Sequence, residues 1–262
     1  MGAARPILGL VSLILTAGGI LLQFLVILSG IHTYAVPLNL VYFLQADTSG
    51  ISNAPNPARW TFFSICGVGP NGHNANCGPI RAALPFDPPN SQDFGTTNGV
   101  PPAFIGTNHY YYLSRFMFAF YLIALFFAVL ALFTGVLALC TRIGSFLSGA
   151  NAALALFFQT ITAALMTACF VQGRDAFRRN GQTASLGRYA FGFTWAAMAC
   201  FLLATVSFCI GGSVSKDSKR NRRRGGSNAG GFLGRNKSTR SRASRGSFVT
   251  DGSGRVKEEY EP

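Results

Sequence analysis

Two cysteines, Cys66 and Cys77, bracket the segment Gly67-Val68-Gly69-Pro70-Asn71-Gly72-His73-Asn74-Ala75-Asn76. Asn71-Gly72 is a strong two-residue hairpin signal, because both residue types tolerate the positive φ that such a turn requires. A hairpin flanked by cysteines brings the two sulfurs together, and closing a loop of this size contributes roughly 2–3 kcal/mol. The chemistry implied is a disulfide, provided the segment faces an oxidising compartment. A metal reading of the same residues fails: Cys66, His73 and Cys77 form Cys-x6-His-x3-Cys, which matches no standard zinc spacing and lacks a fourth ligand. Cys140, Cys169, Cys200 and Cys209 fall in or at the ends of apolar stretches and read as small, buried, apolar-tolerant residues.

The other groups with chemical potential are sparse. His73, His109, Asp47, Asp87 and Asp93 are scattered along residues 30–113, without a nucleophile elbow, a metal motif or a phosphate loop. Aspartates scattered in a Pro-rich stretch are expected at the surface. No catalytic, cofactor or metal site is expected, and the chain does not read as an enzyme. The strongest charge feature is the basic cluster Lys216, Lys219, Arg220, Arg222, Arg223 and Arg224. Residues 213–262 hold thirteen Lys or Arg against five Asp or Glu, most of the net charge of +13. A nucleic-acid binder needs its basic excess on a folded face. Here it sits in a Ser-, Gly-, Arg- and Asn-rich tail that cannot bury enough apolar surface to order itself, so the expected partner is anionic lipid and no nucleic acid is expected. Ser227 and Ser238 each follow an arginine by three residues, and Ser247 follows Arg242 and Arg245. Phosphate there would add nearly −2 per site and weaken lipid attraction, an electrostatic switch. The alternative is a merely solvated tail.

The elements that position these groups are four apolar stretches, at about 7–29, 114–140, 146–171 and 189–210. Each reaches the ~20 residues a helix needs to cross ~30 Å of hydrocarbon, and no charge interrupts their central parts. A lipid-exposed span satisfies its backbone only as a helix. The apolar residues come in blocks and not in amphipathic stripes, which argues for a bilayer over a water-soluble core. Most of the 24 Phe lie in or near the spans, where they read as lipid contacts and helix packing. The first stretch could be a signal peptide, but it is longer than the usual apolar region and no clear cleavage site follows, so a retained span is expected. Gln23 is the one strongly polar residue of the first span; Asn151 and Gln159 in the third lie at a depth that can mark a pathway, but hydrogen bonds between helices are their expected use.

Parity puts both termini on one side, and the basic cluster after span four assigns that side to the cytoplasm, with Arg5 and Arg142 in agreement. Arg174, Arg178, Arg179 and Arg188, in the connection 172–188, then face outward against this preference. The long connection 30–113 also faces outward, where the cysteine pair meets oxidising conditions. Its β-like runs, Tyr34–Val36, Leu40–Leu44 and Trp60–Cys66, predict a small, partly β-stranded domain. Residues 84–102 read as irregular loop. Tyr110-Tyr111-Tyr112 predicts an interfacial aromatic belt before span two.

Arg59-Trp60-Thr61-Phe62-Phe63-Ser64-Ile65-Cys66, followed by Asn76-Cys77-Gly78, resembles the Trp…Cys…Cys signature of claudin-like tetraspans, and most closely the fungal Sur/PalI family, whose best-known members mark eisosomes. The segment Tyr110–Phe118 and the Ala-rich third span are also similar to this family, and the resemblance covers about residues 5–212. Animal claudins place two residues between the Trp and the first Cys; five separate Trp60 from Cys66, which argues against paracellular sealing. The resemblance implies an all-α membrane protein, a four-transmembrane-helix bundle (1–212) with a small claudin-like extracellular β-sheet; the tail it does not cover (213–262) is expected from its composition to be disordered and basic. It implies that Cys66–Cys77 pins two strands and that Trp60 anchors the sheet, at the lipid interface or against the bundle. The function implied is a non-enzymatic organiser of a plasma-membrane compartment that supports cortex and cell-wall integrity, acting through lipids and through self-association or other proteins of that compartment. A membrane sensor of the pH-response type, or a small channel or transporter, is the alternative.

Overall fold

The computed structural model describes residues 4–31, 36–140 and 142–225. Four helices dominate: α1 (Ala4–Ile27), α2 (His109–Cys140), α3 (Arg142–Arg179) and α4 (Arg188–Gly225). Each holds a stretch long and apolar enough to cross a membrane, at Ile7–Ile27, His109–Leu137, Gly144–Arg179 and Arg188–Gly211. The helices overrun the expected spans. α2 begins at His109, not Ser114, and α3 continues to Arg179, not Val171. α4 runs to Gly225, so the backbone of 213–225, expected as irregular tail, is helical. Extending an existing helix adds one hydrogen bond per residue ordered, and Lys and Arg are good helix formers. Of the basic cluster, Lys216, Lys219, Arg220, Arg222, Arg223 and Arg224 therefore have a helical backbone, whereas Ser227, Ser238 and Ser247 lie outside the described residues.

Within the helices, small and hydroxyl-bearing residues recur on the inward faces beside a few large ones such as Tyr121 and Phe201, while many large apolar residues face outward. Ser12, Thr16 and Gln23 of α1, Ala124, Ala128 and Ala131 of α2, Ala152, Ala155 and Ala163 of α3, and Ala190, Ala197 and Ala204 of α4 are buried. Ile14, Phe126, Phe133, Phe157 and Leu203 are exposed. Lipid supplies no hydrophobic drive between helices, so close backbone approach and van der Waals contact hold them. Gly19 is such a contact: a Cβ there would come within 2.6 Å of the Phe201 ring.

Residues 30–108 carry four short strands, β1 (Leu44–Ala46), β2 (Ala58–Trp60), β3 (Ile65–Val68) and β4 (Asn74–Ala75), and a fifth, β5 (Ala184–Leu186), comes from the connection between α3 and α4. The sheet order is β4-β3-β2-β1-β5, antiparallel throughout. Leu44 pairs with Leu186, and Asp47 N–H donates to the Thr183 carbonyl at 2.8 Å. The β-like runs expected earlier shift accordingly. Leu38–Leu40 is a 3-10 turn, and Leu44 opens β1. Trp60–Cys66 is a hairpin and not one strand, and of Tyr34–Val36 only Val36 is described.

An aromatic core joins the sheet to the upper turns of α2 and α3. Phe43 stacks on Phe170 at 4.8 Å, and Phe86 packs against Phe104, Tyr110 and Phe170. Residues 84–102 are irregular as expected but are not a mere surface loop: Leu84, Phe86, Phe94 and Val100 are buried in this core. Tyr110 is buried with them, so of the expected aromatic belt only Tyr112 is well exposed.

Candidate functional site

The signature residues meet on the β2–β3 hairpin. Arg59 pairs with Cys66 and Trp60 with Ile65, leaving 61–64 as the turn. Thr61 closes it: its N–H and its hydroxyl both donate to the Ser64 carbonyl, at 3.1 and 2.7 Å. The Ser64 hydroxyl donates to the Gly30 carbonyl at 2.9 Å, tying the hairpin to the end of the first span. The five residues between Trp60 and Cys66 are thus one hairpin turn plus one paired residue.

Adjacent strand residues point to opposite faces. Trp60, 1% exposed, enters the aromatic core between Phe86, Phe94 and Phe177, with ring centroids at 5.3, 5.7 and 5.7 Å. Of the two placements the resemblance allowed, it takes the one against the helices, since Phe177 belongs to α3. Arg59 lies on the other face with its guanidinium 4.2 Å from the Tyr42 ring centre. Its Nε donates to Gln45 Oε1 at 2.9 Å, and Nη1 donates to the Gly72 carbonyl at 2.9 Å and to Asn74 Oδ1 at 3.1 Å. Burial pushes its pKa down and the neighbouring Tyr42 opposes this, yet an arginine stays charged in either case.

Arg59 therefore clamps the β3–β4 hairpin, the same one that the Cys66–Cys77 disulfide closes. The turn is not the two-residue kind expected from Asn71-Gly72. Gly69 N–H donates to the His73 carbonyl and Gly72 N–H to the Gly69 carbonyl, so Pro70-Asn71-Gly72 is a three-residue loop with Gly72 at φ +72°. Proline presets the first turn position and glycine takes the left-handed one. The His73 ring, considered above as a metal ligand, meets the Asn39 side-chain amide, Nδ1 to Nδ2, at 2.9 Å.

Asp93 is the residue that sequence reasoning misplaced. It and Asp87 were expected at the surface, but both carboxyl groups are drawn into the protein. Asp93 Oδ2 accepts from the Asp87 backbone N–H at 2.9 Å and, in a long bond of 3.5 Å, from Trp60 Nε1. Oδ1 is buried with no hydrogen-bond partner. Burial pushes the Asp93 carboxyl up to about 7; the nearby Asp87 charge adds to this, while the two N–H donors and Arg81 oppose it. Nothing in the local sequence marks Asp93, because its burial comes from the long-range contact with Trp60. Arg59 had a legible signal: it precedes Trp60 in a strand, so alternation puts it on the opposite face.

In the membrane region a second polar cluster links all four helices. Gln23 Nε2 donates to Gln159 Oε1 at 2.6 Å, and Gln159 Nε2 donates to the Thr194 carbonyl at 3.1 Å. The Tyr121 and Thr194 hydroxyls are 2.9 Å apart. The interhelical bonding expected of Gln159 is present, whereas Asn151 donates within its own helix, to the Leu147 carbonyl. Two of the four arginines of 172–188 are tied locally too. Arg174 pairs with Asp175 at 2.8 Å, and Arg178 Nε donates to the Ala184 carbonyl beside β5 at 2.9 Å.

Four membrane-spanning helices carrying a small antiparallel sheet with a disulfide hairpin define a claudin-like tetraspan membrane protein. The chain belongs to the SUR7/PalI family, whose model matches residues 8–207. It is 37% identical to "Protein SUR7" of Candida albicans over 211 residues, 80% of this chain and 75% of that protein. It is 36% identical to "Uncharacterized plasma membrane protein YNL194C" and 38% identical to "SUR7 family protein FMP45", both of Saccharomyces cerevisiae, over 76% and 75% of this chain. These matches span 65% and 63% of the two yeast proteins. The family is one of fungal membrane proteins, and one of these relatives is described as a plasma-membrane protein.

Proposed function

We propose that this protein is a non-enzymatic structural organiser of a plasma-membrane compartment of the eisosome type, supporting cortex and wall integrity. The observation that carries this reading is that the signature residues act as fasteners: Trp60 locks the sheet to the helices, while Arg59 and the Cys66–Cys77 disulfide hold the sheet itself together. A rigid sheet fused to four helices with large apolar side chains facing lipid suits lateral assembly, through self-association or other proteins of the compartment. The sheet faces the exterior and both termini the cytoplasm. Of the four arginines of 172–188, which weigh against this orientation by charge rule, Arg174 is paired with Asp175 and Arg178 is bonded to the strand β5. The helical basic stretch at 216–224 then meets the anionic inner leaflet, where each Lys or Arg adds about 1 kcal/mol.

A fluorescent fusion in living cells tests the reading. Static cortical patches that disperse in Trp60→Ala are expected; a uniform surface signal, or patches indifferent to that change, would refute it. A sensor of the pH-response type is the second reading, favoured by one observation, the Asp93 carboxyl poised near neutrality against Trp60. Patches that persist while a pH-response reporter fails in Asp93→Asn would select it.

A further inference from the structure

Beside Asp93 and Phe94, the two residues that meet Trp60 from the irregular loop, lies a cleft of about 280 Å³. Its polar wall comes from Asn53 in the β1–β2 connection, Asn76 beside Cys77, and Gln92 with Asp93 in the irregular loop, while Pro55, Ile65, Pro79, Leu84 and Phe94 supply apolar surface. Asp93 Oδ1 is the buried acceptor in this wall that nothing in the protein satisfies. A buried polar atom without a partner costs free energy, so a ligand that donates to it gains that amount on binding.

The lining specifies the ligand class. Asn53 and Asn76 each carry a donor and an acceptor in one plane, and Gln92, whose Oε1 already accepts from Arg115 Nη2 at 3.2 Å, adds its amide donor; this pattern matches hydroxyl groups, which donate once and accept twice. Pro79 and Phe94 offer flat apolar surface for the C–H face of a ring. Asp93 is the sole ionisable side chain of the lining, which therefore supplies no cationic partner of its own for an anion. A cation meets a carboxyl already engaged by Asp87 N–H and Trp60, whose burial favours its neutral form. The volume lies just under the range of pockets for drug-sized ligands and suits a single ring.

We propose that this cleft is a binding site for a neutral polyhydroxylated ring, one pyranose unit of a saccharide, with Asp93 Oδ1 and the Asn53, Asn76 and Gln92 amides taking its hydroxyls. The disulfide then gains a second role, because Asn76 and Gly78 on either side of Cys77 form part of the wall. The assignment holds whichever side of the membrane the sheet faces and does not depend on the organiser reading.

Asn53 and Asn76 both hold positive φ, 64° and 48°, so glycine at either position keeps the backbone and removes only the amide. The test uses the full chain in nanodiscs with Trp195→Phe, leaving Trp60 as the reporter. The probes are trimers of glucose, N-acetylglucosamine and mannose, with inorganic phosphate and spermidine as charged controls. Saturable binding of at least one trimer is expected, weakened tenfold or more in the Asn53→Gly/Asn76→Gly double variant at unchanged melting temperature. Gln92→Ala, on the exposed rim, is the second variant, with a smaller loss expected. Absence of saturable binding across the three trimers, an unchanged affinity in both variants, or stronger binding of phosphate or spermidine would overturn the proposal.

Discussion

Changing Asp93 to Asn isolates one carboxyl whose titration is written into the packing of the sheet. Its folded-state pKa is about 7 against an ordinary 3.8, chiefly through burial. The fold therefore favours the protonated form. The stability tied to that proton is complete below the unfolded-state pKa near 3.8 and is lost as pH rises through about 7. A gap of roughly three pH units at 1.36 kcal/mol each gives about 4 kcal/mol between pH 4 and pH 8. The Asp87 carboxyl, also raised by burial, adds a smaller slope of the same sign.

The chain has two tryptophans, so Trp195→Phe leaves Trp60, the indole that touches Asp93, as the only one. Guanidinium unfolding in nanodiscs, followed by Trp60 emission from pH 4 to pH 8, measures the slope. The parent loses stability with rising pH; Asp93→Asn loses most of that dependence and is the more stable of the two at pH 8. The native-state emission of the parent also shifts with a midpoint near 7. Equal slopes in parent and variant, or stability that rises from pH 4 to pH 7, would refute the reasoning.

Three further outcomes follow from the packing. Replacing Cys66 and Cys77 with Ser costs the sheet about 2–3 kcal/mol, read as an earlier Trp60 unfolding midpoint, and the parent takes up no thiol label at these positions until reduced. Arg59→Lys keeps the charge but loses the fork that holds Gln45, Gly72 and Asn74 together, at a cost of about 2–3 kcal/mol, and an unchanged midpoint would argue against the clamp. Gln23→Leu leaves Gln159 Oε1 without its donor and lowers the thermal stability of the helices by about 0.5–2 kcal/mol, read as an earlier helix melting midpoint by circular dichroism in detergent.

The four spans, the hairpin between Cys66 and Cys77 and the inward turn of Gln159 were legible in the residues because each rests on a local rule. Twenty apolar residues must be helical in lipid, a Pro-Asn-Gly run must turn, and a buried amide must find a partner. The strand β5 was not legible. Three residues, Ala184–Leu186, hold too little alternation to mark a strand, and they become one only because Leu44–Ala46, some 140 residues earlier in the chain, lies alongside. Trp60 announced an anchor but not its berth, which is set by Phe86, Phe94 and Phe177 from two distant segments. Asp93 was misread for the same reason: a carboxyl in a Pro-rich loop is solvated by default, and only the packing of that loop against Trp60 removes its water. Lipid crossing is a property of each segment alone, whereas the burial that creates a neutral-range carboxyl and a cleft beside it exists only once distant segments have met.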